Sequence, residues 1–296
     1  MPPNGFLARP LCEICGSERK QTLFSLSYEH PSLREYLRSQ YRDRLPLEFI
    51  SGETFELVKC QECGFVWQLF VPNAEQMSAL YENIISAQES FRKKECADFR
   101  FYSQYALEMS ILASLCKRKP YQIKVLDFGM GWGFWCLMAK AFGFRISGFE
   151  ASAARKEYAQ RNGIPVIAWD SIPNGNYDFI NAEQVFEHIR DPLLTLQHLI
   201  SGLGKNGIVK ISVPNGKNIN RTLTEKTFWR AIHIIGPLEH ISCYSPFALR
   251  KLGMQAGLKS IDHRLSGFKP KLTKIGLFLK KRFLVRGTCA YFQRIG

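Results

Sequence analysis

From Ile123 onward, short apolar runs alternate with segments whose apolar positions recur at helical spacing. "IKVLDFG" reads as a strand and "GFWCLMAKAFG" as a helix closed by Gly143. "RISGFEA" is a second strand and "ARKEYAQRNG" a helix closed by Gly163. "IPVIAW" and "YDFINAEQ" read as the third and fourth strands, "PLLTLQHLISGL" as a helix and "GIVKISVP" as the fifth strand. After the helix "SPFALRKLGMQAG", the runs "LKSIDHRLSG" and "GTCAYFQRI" complete a seven-stranded sheet. Such alternation predicts an α/β fold with a doubly wound sheet. Ligands in these sheets bind beyond the carboxyl ends of the strands, where the strand order reverses.

The pattern upstream is different. "CEICGS" (Cys12, Cys15) and "CQECGF" (Cys60, Cys63) are two Cys-x-x-Cys-Gly units, and Gly16 and Gly64 allow the sharp turn that lets each pair bite one ion. Two such units supply the four thiolates of a closed tetrahedral Zn2+ site, which leaves no open position for chemistry. The stretch between them carries "SLREYLRSQYRDRLP", which is expected to project as a helix. Beyond Pro72 a helical pattern (Met77, Leu80, Tyr81, Ile84) leads to a helix in "ADFRFYSQYALEMSILASLCKRKP". The expected organisation is a zinc-ribbon-like module over 1–85, a helical linker over 86–120 and the α/β domain over 121–296. The five other cysteines sit apart in apolar or mixed surroundings and read as core residues of a reduced, intracellular protein.

Composition narrows the class. With 46% apolar and 22% charged residues the chain can bury an ordinary core. No apolar run reaches the ~18 residues of a membrane span. The opening "MPPNGFLARP" lacks the pattern of a secretory signal, so a cytoplasmic location is expected. A formal charge of +14 points to an acidic partner: a phosphate-bearing substrate, nucleic acid or an anionic membrane. The charge is concentrated late, since no carboxylate side chain follows Asp262. Within 270–286, Leu272, Ile275, Leu279 and Phe283 form an apolar stripe ringed by lysines and arginines. Such a helix either packs on its own domain or makes peripheral contact with an anionic membrane or a lipid-linked acceptor.

The densest signal is "VLDFGMGWGFW", Val125 to Trp135. Glycines just past the first strand let a nucleotide-like cofactor approach the main chain, with free N–H groups expected to face it. Glu150, at the end of the second strand, can accept both ribose hydroxyls. A dinucleotide fingerprint needs a small residue where this chain has Phe134. The turn instead resembles motif I of the class I S-adenosylmethionine-dependent methyltransferases. "YDFINAEQVFEHIRDP", "GIVKISVPN" and "LEHISCYSPFALRKLGMQAGL" resemble that family's later motifs, so the likeness runs from Lys124 to the C-terminus. It implies a Rossmann-like methyltransferase sheet. It also implies that Gly129, Gly131 and Gly133 cradle the methionine and ribose, that Asp127 and Asn181 serve the amino-acid end, and that Glu150 binds ribose. Ala151 would lie near adenine and Asp170 near its amino group, with Trp169 as an alternative cover for the ring. The double-knuckle module resembles a subgroup that includes sugar C-methyltransferases and methyltransferases found with surface-polysaccharide genes. The C-methyltransferases carry a further C-terminal domain, which places O-methylation of a sugar, glycan or other small-molecule hydroxyl ahead.

For such a transfer the protein positions the nucleophile and removes its proton. His188 is the first candidate base, Glu187 a group to orient it or bind a divalent ion, and His240 the second candidate base; bracing of local structure is the alternative role for each. Metal-using quinone O-methyltransferases have an acidic residue where this chain has Gln184, so no catalytic metal is expected. The rival functions are an RNA methyltransferase, disfavoured for base amines because "NAEQ" replaces the Asn/Asp-Pro-Pro-aromatic signature, and a zinc-bearing adaptor without activity.

Overall fold

The computed structural model describes residues 5–224, 227–261 and 287–295. At the N-terminal end are β1 (Leu7–Ala8), β2 (Lys20–Ser27), α1 (Pro31–Tyr41), β3 (Thr54–Cys60), β4 (Val66–Gln68) and β5 (Phe70–Val71). The meander β2-β3-β4 is antiparallel, and its fourth strand comes from far along the chain: β10 (Ser242–Cys243) pairs with β4 through Ser242↔Trp67 and Cys243↔Val66. α1 does not project. Its Leu33, Leu37 and Tyr41 recur every four residues, so they share one helix face, and all three are buried in an apolar core with Phe55 and Phe228.

The joint to the α/β domain is built from three helices. α2 (Ala74–Ala79) opens with a reciprocal Asn73–Gln76 capping box and runs into a π turn, Leu80–Ile84, that carries Tyr81. α3 (Ala87–Glu95) and α4 (Phe99–Cys116) follow, capped by Ser86 and Asp98 side chains.

Among the described residues the central sheet has six strands. β6 (Lys124–Phe128), β7 (Arg145–Phe149), β8 (Tyr177–Glu183) and β9 (Leu203–Val213) are parallel, while β12 (Thr288–Arg294) runs antiparallel between β9 and the edge strand β11 (Leu258–Ile261). The spatial order is β11-β12-β9-β8-β6-β7. The expected strand "IPVIAW" is reduced to one parallel bridge, Gly148↔Val166. Pro165 has no N–H to give a ladder, and the chain turns away at Trp169–Ser171. α5 (Phe134–Ala141), α6 (Ala153–Arg161), α7 (Pro192–Ser201) and α8 (Pro246–Gln255) pack on the sheet.

One buried cluster runs from Cys12, Cys60 and Cys63 through Phe65 and Trp67 to Phe186 and Val213, so the knuckles and the central sheet share a core. No described helix is long and apolar enough to cross a membrane. The basic stretch 270–286 lies outside the described residues.

Candidate active site

β6 is the switch point, because β7 pairs on one side of it and β8 on the other. The glycine turn begins one residue after it. Gly131 has φ +56°, a left-handed conformation that favours glycine, and nothing lies within 4 Å of where its Cβ would be. Any side chain here would fill the space a ligand needs. Gly129 is boxed in instead, since a Cβ would meet Val185 Cγ2 at 2.5 Å.

Four N–H groups of this turn are not free, contrary to expectation. Gly129 and Met130 donate to the Phe149 carbonyl (2.9 and 3.0 Å), Gly131 to Glu150 Oε2 (2.8 Å) and Gly133 to Met130 (2.9 Å). The end of β7 therefore templates the loop, and the bare Cα of Gly131 is what it offers a ligand. Glu150 is 8% exposed and also accepts from the Ala151 and Ser152 N–H groups on Oε1 (3.0 Å each). A carboxylate has about four lone-pair sites, so with three taken one remains, on Oε2, for a ribose hydroxyl. Arg155 stands 3.8 Å from it.

Two cavities flank the turn. The larger, about 760 Å³, is lined by Gly129, Glu150 and Ala151 on the sheet side and by Tyr81, His188 and Glu239 beyond. The smaller, about 220 Å³, touches Asp127, Gly131, Asn181, Glu183 and Lys94. In it Asn181 Nδ2 donates to Asp127 Oδ1 at 2.8 Å, while Asn181 Oδ1 has no hydrogen-bond partner among the described residues. Burial lifts the Asp127 carboxyl to about 8 despite that hydrogen bond. A neutral acid and an unsatisfied amide oxygen suit an incoming ammonium group, which the amino-acid end of the cofactor carries. Asp170 lies apart from both cavities, exposed in the turn after the bridge. Its neighbour Trp169 stacks on His198 at 4.0 Å and reaches Phe128 and Phe149.

The residues named for the proton chemistry do come together. Glu187, His188 and His240 bring a carboxylate oxygen and two ring nitrogens within 4.8 Å of one another, and the histidine rings are 4.7 Å apart. His188 Nδ1 lies 2.9 Å from the Glu239 carbonyl and 2.9 Å from Tyr81 Oη. A carbonyl only accepts, so Nδ1 carries the hydrogen and Nε2 keeps the lone pair. Burial, reinforced by His240, lowers the His188 pKa to about 3. Burial raises that of Glu187 to about 8, and neither of its oxygens has a partner among the described residues. At neutral pH this wall is therefore uncharged.

Tyr81 and Glu239 escaped sequence reasoning. Tyr81 reads as one more apolar helix position, and the backbone carbonyl of Glu239 has no sequence signature at all.

The cysteine pairs also converge. Cys12 Sγ is 3.4 Å from Cys63 Sγ and Cys15 Sγ 3.6 Å from Cys60 Sγ; all four sulfurs lie within 4.8 Å of one another, and none is in a disulfide. Metal–sulfur bonds of about 2.3 Å in a tetrahedron need this spacing.

The fold has counterparts among known proteins. A family model described as a methyltransferase domain matches residues 97–263. No curated protein matches this sequence. Among solved structures, the plantazolicin methyltransferase BamL in complex with a triazolic desmethylPZN analog and SAH is 15% identical, with 70% of this chain and 89% of that chain covered and a TM-score of 0.50. The plantazolicin methyltransferase BpumL with SAH is 14% identical, covering 71% and 89%, with a TM-score of 0.49. A SAM-dependent methyltransferase from Archaeoglobus fulgidus is 15% identical, covering 70% and 99%, with a TM-score of 0.44. The family match spans more than half of the chain and takes in the glycine turn, Glu150 and the Glu187–His188 pair, so this chain belongs to the methyltransferase domain family and is an S-adenosylmethionine-dependent methyltransferase.

Proposed function

We propose that the chain methylates a hydroxyl of a small-molecule or glycan acceptor, with His188 taking the proton. The observation that carries this reading is the Glu239 carbonyl at 2.9 Å from Nδ1, which leaves Nε2 of a cavity-lining histidine unprotonated. The cofactor supplies an electrophilic sulfonium methyl whose leaving group needs no acid. A hydroxyl oxygen that has gained a methyl group becomes strongly acidic, so even a weakly basic imidazole can accept its proton as the new bond forms. The Glu239 carbonyl keeps the ring in the useful tautomer, and Tyr81 Oη lies against the same nitrogen. Glu187 lies beside the ring as a group to orient it, and His240 packs against the same ring.

On this reading Glu150 holds the ribose, Ala151 borders the adenine, and Asp127 with Asn181 receives the ammonium group. Gly131 gives close approach, while Gly129 and Gly133, packed against Val185 and Ile164, shape the turn that presents it. Asp170, named in the sequence for the adenine amine, lies outside both cavities and is given no role in this reading. The acceptor enters the 760 Å³ cavity, whose lining mixes Lys93, Lys94 and a Glu89-paired Arg44 with the acidic Glu82; the two lysines are the groups that would meet a phosphate on the acceptor. Zn2+ is the ion proposed for Cys12, Cys15, Cys60 and Cys63, in a structural role.

Calorimetric titration with S-adenosylhomocysteine, beside a Gly131→Arg control, tests the cofactor half: one site is expected in the parent and none in the folded variant. Acceptor screening with labelled methyl donor tests the rest. His188→Ala should lower turnover at least 100-fold, as removal of a general base does, with S-adenosylhomocysteine affinity held. Retained turnover would remove His188 from the mechanism, and labelling of RNA but not glycans would redirect the acceptor class.

A further inference from the structure

Arg9 is 3% exposed and lies far in sequence from every residue of the active site, yet its guanidinium reaches the two segments that carry the histidines. Nη1 donates to the Ile241 carbonyl at 2.8 Å and the Gln68 carbonyl at 3.5 Å. Nη2 donates to Ser242 Oγ at 3.0 Å and the Arg190 carbonyl at 3.3 Å. Ser242 Oγ in turn donates to the Ile189 carbonyl at 3.5 Å. Arg190 follows His188 by two residues, and Ile241 follows His240 directly. From β4, the Gln68 N–H donates to the Ile241 carbonyl (2.9 Å) and Gln68 Nε2 to the His240 carbonyl (3.1 Å). The other edge of the Arg9 guanidinium is fixed by Glu13, through Nε at 2.6 Å and through Nη2. Glu13 is an interior residue of the first cysteine knuckle, between Cys12 and Cys15.

We infer that Arg9 is a positioning residue that couples the first cysteine knuckle to the His188–His240 pair, so that the state of the knuckle sets the registration of the two segments at the acceptor cavity. A planar guanidinium with five fixed donors can hold several carbonyls in one geometry, which a flexible ammonium cannot. What it registers is chemically specific. The Glu239 carbonyl fixes the tautomer of the His188 ring only while the two segments stay together, and Arg9 bonds to both beside that contact. Loss of the knuckle's ion would free Glu13 and, through it, the clamp. This inference rests on the reading of His188 as proton acceptor.

The test uses the full chain, zinc-loaded and with S-adenosylhomocysteine bound, and reads the ring nitrogens of His188 by long-range 15N NMR, assigned by loss of the signals in His188→Gln. The parent should show the Nδ1–H tautomer. Arg9→Lys, which keeps the charge and all four cysteines, and Glu13→Gln should lower the ratio of Nδ1–H to Nε2–H at least about twofold, with S-adenosylhomocysteine affinity and zinc content within about twofold of the parent. Withdrawing the metal from the parent with a chelator should reproduce the shift. A folded Arg9→Lys protein with the parent's tautomer ratio would overturn the clamp, and an unchanged ratio after metal withdrawal would overturn its link to the knuckle. Failure of the parent itself to bind S-adenosylhomocysteine would instead count against the cofactor reading.

Discussion

Asp127 is the residue whose titration the fold changes most usefully. Its carboxyl is lifted by burial to about 8, while in the unfolded chain it titrates near 3.8. The unfolded state therefore releases this proton first, and the native state loses stability progressively as pH rises from about 4 to 8, with no further change above. His188 has the opposite sign. Its folded pKa is depressed by burial to about 3 from 6.5, so its neutral burial costs stability as pH falls below about 6.5. An ammonium group placed beside Asp127, as proposed for the cofactor, favours the carboxylate. Binding of S-adenosylhomocysteine at pH 7 should then release close to one proton, read as a dependence of the calorimetric heat on buffer ionisation enthalpy. Asp127→Asn should abolish the release. The sequence marks the aspartate as a candidate cofactor residue, but its protonation was not legible there, because that comes from the burial of its surroundings.

Among elements, α4 and the central sheet are joined by an ion trio around a buried lysine. Lys210 of β9 is 4% exposed and lies 2.6 Å from Glu108 on α4 and 3.2 Å from Glu183 at the end of β8. Burial opposes its charge, but the two carboxylates hold the ammonium protonated. Lys210→Met leaves both acids without their cation. It should destabilise the protein by about 3–5 kcal/mol in urea unfolding, with partial recovery when Glu108→Gln is added. Glu183 also borders the smaller cavity, so the same variant is expected to weaken S-adenosylhomocysteine binding. Helix α4 was legible from its periodicity, but its charged tether was not, since Lys210 stands in a strand that otherwise reads as apolar. The third expected strand failed for a local reason the sequence did contain: Pro165 cannot donate to a ladder.

At the scale of the molecule, the N-terminal sheet is completed by β10 from the other end of the chain, and the knuckles share a core with the central sheet. A fragment over 121–296 would lose β4, Gln68 and Arg9 together. It should therefore lack the cooperative thermal transition of the full chain, as followed by near-UV circular dichroism. Cys12→Ser should release the metal and lower the melting temperature, since metal binding at such a site contributes directly to folding. Unchanged metal content would remove these cysteines as its ligands.

The order of strands and helices, the glycine turn, the acidic end of the second strand and the paired knuckles were all determined by the sequence itself. Each depends on residue types at fixed local spacing, where backbone geometry alone decides which side chains share a face or a turn. The tertiary structure alone decided which distant groups meet. Arg9 bonds to Ile241 across 232 positions, Tyr81 to His188 across 107, and a backbone carbonyl selects the tautomer of the ring. Such contacts arise when packed elements close long loops, and local spacing carries no information about which loops will close.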